Sequence, residues 1–121
     1  MLCQLVAAAA DLCRKPLLHA VLPTSTPPLD RGDDMDWCLR LEVRNADGER
    51  RPEQDLDLEL YTSSGGELHL TLAWSQVSDG PMLWHGGHPV WMDAVSGQRC
   101  ERPAAGPPLE ALARRLRALL L

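Results

Sequence analysis

Between Asp55 and Trp74, apolar and polar residues alternate on both sides of a cluster of small residues. Leu56, Leu58 and Leu60 alternate with Asp55, Asp57 and Glu59, and Leu68, Leu70, Leu72 and Trp74 alternate with Glu67, His69, Thr71 and Ala73. Period two marks a half-buried strand, because successive side chains of a strand point to opposite faces. Ser63, Ser64, Gly65 and Gly66 supply the local hydrogen bonds and permissive backbone of a tight reversal. The pattern predicts a β-hairpin with one leucine face and one polar face, in the middle of a sheet. Its register should be firm, since a slip of one residue would turn every leucine towards water.

The same period recurs upstream, where Trp37, Leu39, Leu41 and Val43 alternate with Cys38, Arg40, Glu42 and Arg44. This run reads as the first strand, joined to the hairpin by a charged loop, Asn45 to Gln54. Downstream, Ser78 to Pro81 turns the chain, and the short apolar runs Met82 to Trp84 and Val90 to Met92 add further strands. Two other stretches have helical spacing. Leu2, Leu5, Val6, Ala9, Leu12 and Cys13 recur at steps of three and four until Pro16 closes the pattern. Leu109, Leu112, Ala113, Leu116, Leu119 and Leu120 form one face of a C-terminal helix that begins at Pro107 and Pro108, with Glu110 near its positive end and Arg114, Arg115 and Arg117 towards its negative end.

These elements predict an α+β fold, an antiparallel β-meander of about five strands with the C-terminal amphipathic helix packed on one face and a short N-terminal helix on a linker. The stretch LPTSTPPLDRGDDMD has little to bury and reads as that linker. The predicted organisation is a helical appendage, 1–22, a Pro/Asp-rich linker, 23–36, and a single domain, 37–121. Met35 stands directly before the first strand, which is consistent with the first 34 residues being an appendage.

A chain of 121 residues is long enough for one core and too short for two. Phenylalanine is absent, so leucine and four tryptophans must fill that core. The net charge is −5, and no Lys or Arg occurs between Arg51 and Arg99. A nucleic-acid surface needs clustered bases to displace phosphate counterions, so the central sheet is not one. No run approaches the roughly 20 apolar residues of a membrane span. The apolar run at the N-terminus lacks the preceding positive charge of a signal peptide. A cytoplasmic protein with reduced thiols is expected.

The richest local chemistry lies in WHGGHPVWMDAVSGQRC, Trp84 to Cys100. Taking Gly86-Gly87 as a two-residue turn places His85 opposite His88, with β-carbons roughly 5 Å apart, close enough to share a metal. A turn at Ala94 to Gly97 pairs Trp91 with Cys100 and leaves Glu101 as the nearest third ligand. A structural zinc site needs four, so this set is short. The same pairing puts Met82, Trp84, Trp91 and Cys100 on one face and Leu83, Val90 and Met92 on the other. The thiol and the histidines then lie apart, which removes the nearest candidate for a nucleophile and its base.

The reading that follows is a small non-catalytic interaction or assembly module without a cofactor. Its tryptophan-lined apolar sheet face, with Met82, Trp84, Trp91 and Cys100, would dock an unknown protein partner or a second copy of the chain. The alternative is a metal-binding or metal-dependent protein using His85, His88 and Glu101.

Overall fold

The computed structural model describes residues 2–24, 36–62, 65–77 and 79–120. Most of the predicted linker, Met35, and the turn residues Ser63, Ser64 and Ser78 lie outside them. The fold is α+β. Helix α1 (Leu2–Cys13) is followed by six strands, β1 (Leu18–Pro23), β2 (Asp36–Arg44), β3 (Leu56–Thr62), β4 (Leu68–Trp74), β5 (Pro81–His85) and β6 (Pro89–Asp93), and by helix α2 (Pro107–Leu120). The strands form one antiparallel sheet in the order β1-β2-β3-β4-β5-β6.

The central hairpin pairs Leu58 with Leu72, Leu60 with Leu70, and Leu56 with Trp74, so both leucine rows share one face. That inner face is dry: Leu56, Leu58, Leu60, Leu70 and Leu72 are at most 2% exposed. Leu39 and Leu41 of β2 and Leu83 of β5 extend it sideways. Both helices contribute to the core it builds. From α2 come Leu109, Leu112, Ala113 and Leu116, and from α1 come Val6, Ala9 and Ala10. The helix predicted to be an appendage is thus packed into the common core.

The predicted antiparallel meander forms, with six strands among the described residues where about five were expected, since residues 18–23 also pair with β2, setting His19 against Val43 and Val21 against Leu41. This strand buries only His19 and, in part, Val21 and runs directly into proline-rich sequence, so its alternation is too short to stand out. The β5–β6 register also differs. His85 pairs with Pro89, Trp84 with Val90 and Leu83 with Trp91, which makes the loop three residues long, 86–88. A two-residue hairpin turn draws on positive φ, and neither Gly86 nor Gly87 has it, whereas Gly66 (φ 81°) and Gly97 (φ 73°) do.

The shift of register moves Trp91 to the inner face, where it is 5% exposed. There it stacks on Trp74 with ring centroids 6.1 Å apart. Its Nε1–H donates to Glu110 Oε2 of α2 at 2.8 Å. Trp91 therefore anchors the helix to the sheet. At the other end of α2, the Arg117 guanidinium donates to the Leu68 carbonyl at 2.9 Å.

A buried polar seam ties α1 and β1 to the β2–β3 connection. Asp11 Oδ1 accepts the backbone N–H of His19 at 2.8 Å and lies 2.9 Å from its Nδ1, while the Arg14 guanidinium lies 3.1 Å from Nε2. This leaves the imidazole neutral, with its proton on Nδ1. Burial pushes the His19 pKa down, outweighing the pull of Asp11. Burial likewise lowers the pKa of Arg14 to about 10, against the opposing pull of Asp55. Arg14 also donates to the backbone carbonyl and the side-chain oxygen of Gln54.

Candidate functional site

The two faces of the sheet differ sharply. Both helices pack on the leucine side, and no described element covers the other. On its β2–β3 half this outer face is polar, with an Arg40–Asp57 ion pair and Cys38 beside Glu59. Towards β5 and β6 it becomes apolar. Met82 pairs with Met92 and Trp84 with Val90, so all four project outward. With His88 and Arg99 they line an open cleft of about 460 Å³ whose walls are mostly carbon.

Trp84, in the wall of this cleft, is the end member of a stack of three rings. Tyr61 on β3 lies over His69 on β4 at 5.4 Å between centroids, and His69 lies over Trp84 on β5 at 5.5 Å, with interplanar angles of 20° and 16°. The register creates the stack, since Tyr61 sits directly opposite His69. Trp84 Nε1–H donates to the Tyr61 hydroxyl at 2.7 Å, closing the stack from strand to strand. His69 Nδ1 is buried and has no hydrogen-bond partner among the described residues. A preset array of this kind holds the Trp84 ring in place before any ligand arrives, which lowers the entropy lost on binding.

Gly86 explains why the rings fit. A β-carbon there would lie 2.5 Å from the far edge of the Trp84 ring and 2.9 Å from His69 Nδ1. The glycine is required by close approach rather than by the turn. Gly86→Ala is expected to push the indole off His69 and cost about 1 to 3 kcal/mol, as overpacking does. Near-UV circular dichroism together with a denaturant midpoint checks this, and an unchanged tryptophan signal would show that the stack yields without cost.

Of the four predicted docking residues, Met82 and Trp84 line the cleft, while Trp91 is turned into the core by the register described above. Cys100 follows Trp91 in pairing as predicted, its N–H donating to the Trp91 carbonyl at 2.9 Å, but its side chain is exposed and does not line the cleft. Val90 and Met92, predicted to lie on the opposite face from Trp84, share its face. Tyr61 and His69 were not among the predicted site residues, although the hairpin register alone places them opposite each other.

The predicted histidine pair is also rearranged. His85 points to the inner face and is 5% exposed, with Nδ1 3.2 Å from the Gly86 carbonyl, while His88 is an exposed loop residue and His85 faces Pro89 instead. Glu101 is exposed. Among the described residues, no three His, Cys, Asp or Glu side chains gather closely enough to hold a metal ion.

Among the described residues, no helix is long and apolar enough to cross a membrane. Residues 3–119 match the family model described as Domain of unknown function (DUF8659). The chain belongs to that family. The match spans all six strands and almost all of α1 and α2, so the packed unit corresponds to the DUF8659 domain. No curated protein and no solved structure matches the chain.

Proposed function

We propose that the chain is a non-catalytic interaction module that docks a segment of a partner protein in the outer cleft of β5 and β6. The observation that carries this reading is the preset Tyr61–His69–Trp84 stack beside the outward Met82, Val90 and Met92. Tryptophan held rigidly in an apolar recess has the character of an interface hot spot, and methionine adapts its shape to what it meets. The cleft selects its occupant by charge as well. Among the described residues, Arg99 lines the cleft without an ion-pair partner and no acid lines it. The fitting occupant is therefore a segment with a bulky apolar side chain next to an acidic residue.

Selection from a displayed library of random peptides against the full chain tests both halves of this reading. Sequences pairing a bulky apolar residue with Asp or Glu should be enriched. Their Kd should rise roughly thirtyfold or more in Trp84→Ala, the loss of about 2 kcal/mol that marks a hot spot. Met92→Glu, a change at a half-buried outer position, serves as a second variant should Trp84→Ala loosen the stack, and Arg99→Glu should reverse the preference for acids. Peptides that bind these variants as well as the parent would place the docking surface elsewhere. Concentration-dependent dimerisation that Trp84→Ala abolishes would make a second copy the occupant and overturn the peptide reading.

A further inference from the structure

On the other side of the β5–β6 hairpin, where the inner face of the sheet meets the last turns of α2, lies a recess of about 380 Å³. His85, His88 and Pro89 form one wall, and Arg114 and Arg117 the other. Four side chains able to carry positive charge thus face one space, in a protein whose net charge is −5. Among the described residues, no carboxylate lines it. The neighbouring acid on α2, Glu110, accepts the Trp91 indole N–H and lies 3.6 Å from Arg102 and 3.7 Å from Arg114, so from outside the recess it offsets part of the Arg114 charge.

The donors are held ready. Arg117 is braced by the Leu68 carbonyl through Nη1, which leaves the rest of its guanidinium fork to point at a ligand. His85 donates from Nδ1 to the Gly86 carbonyl, so its Nε2 is an acceptor that becomes a donor to the recess once the ring takes up a proton. Guanidinium groups grip phosphate oxygens in paired, charge-assisted hydrogen bonds. The volume falls within the roughly 300 to 1,000 Å³ of small-molecule pockets and exceeds what a bare ion fills. We infer that this recess binds the phosphate group of a small molecule, gripped by Arg114 and Arg117 and closed over by His85 and His88.

The electrostatics agree. The His85 pKa is pushed down by burial first, and then by Arg117, Arg114 and His88, with only the Gly86 carbonyl opposing them. The two guanidinium groups therefore give the recess a positive potential, which Glu110 offsets in part through Arg114. A bound anion would supply the missing charge and lift the His85 pKa. This site is separate from the apolar cleft, apart from His88, which borders both.

The experiment is a titration of the full chain with inorganic phosphate, followed by NMR of the four imidazoles at fixed pH and then across a pH series with and without saturating phosphate, with sodium chloride and sodium acetate at matched ionic strength as parallel arms. Phosphate should give a saturable response at His85 and a rise in its pKa, with His19 unmoved. Arg114→Gln removes an exposed side chain that makes no bond to the sheet, and should raise Kd about tenfold, the loss of one charge-assisted contact. Arg117→Gln should do the same, but it also frees the Leu68 carbonyl, so Arg114→Gln decides if α2 loosens. A response to phosphate that does not saturate, that chloride reproduces, or that survives Arg114→Gln unchanged would overturn the inference. Acetate binding as tightly as phosphate would overturn the assignment to phosphate.

Discussion

A chain ending at Pro108 is expected to lose cooperative unfolding altogether. The truncation removes Leu109, Leu112, Ala113 and Leu116, each 1% exposed or less, from above the leucine face of the sheet. Replacing a buried leucine by alanine alone costs about 2 to 5 kcal/mol, so three leucines represent about 6 to 15, against a net domain stability of about 5 to 15. The cut also strips Trp91 of its Glu110 partner and Leu68 of the Arg117 donor. Calorimetry should show no heat-absorption peak for the shortened chain, while Leu112→Ala should keep a peak at lower temperature. A truncated chain that melts cooperatively within a few degrees of the full one would mean that the sheet is sealed by something other than α2.

Asp55→Asn is expected to be among the most damaging single substitutions on the polar side of the structure, and its effect should fade in acid. Asp55 is 5% exposed. Its Oδ1 accepts the Val43 N–H at 2.8 Å and one Arg50 N–H at 3.0 Å, while Oδ2 accepts the other at 2.8 Å. The carboxylate thereby fixes the end of β2 and the start of β3 to the loop between them. Burial alone would raise its pKa, but Arg50 and the Val43 amide outweigh burial and hold it below the usual carboxylate value. A carboxyl depressed in the folded state contributes stability that is complete above the unfolded value, about 3.9, and is lost as pH falls through the folded one. The gap in denaturant midpoint between wild type and Asp55→Asn should therefore be wide at pH 7 and narrow as the pH drops below about 4. A gap equally wide in strong acid would show that the side chain acts through packing rather than charge.

How much of this was legible in the chain depended on whether the decisive partner was local. The central hairpin could be read because alternation and turn chemistry agreed, and its pairing of Leu58 with Leu72 is the one that keeps both rows dry. The face of α2 was equally plain, because six apolar residues recur at helical spacing. Strand β1 was hidden because its short alternation merges into prolines, and its pairing depends on β2, which lies beyond the proline-rich stretch. The β5–β6 register failed on a single residue. Gly86 resembles a turn glycine, but its role is set by the rings of Trp84 and His69, which come from other parts of the chain.

The candidate sites follow the same division. That the β5–β6 end of the sheet carries apolar residues on both faces was readable from Met82 to Met92. Which tryptophan faces outward was not, since one residue of register exchanges Trp91 for Val90 and Met92 beside Trp84. The recess of His85, His88, Arg114 and Arg117 joins a hairpin to a helix that follows it across an intervening loop, and no local pattern connects them. The Arg14–His19–Asp11 seam is similar: each member looks like an ordinary surface residue until α1 folds back along β1.

The strand order has a consequence for the sequence of events in folding. Every strand lies beside its neighbour in the chain, so the sheet can assemble by successive hairpins, with short connections from β3 to β6 and longer ones on either side of β2. The core cannot be sealed so cheaply, because α1 and α2 meet across nearly the whole described length of the chain. Sheet formation is thus a local process, and sealing of the core a long-range one. Until the helices arrive, the leucine rows of β3 and β4 have no partner but water or another chain. The time between those two steps, more than the stability of the finished fold, sets how exposed a newly made molecule is to aggregation.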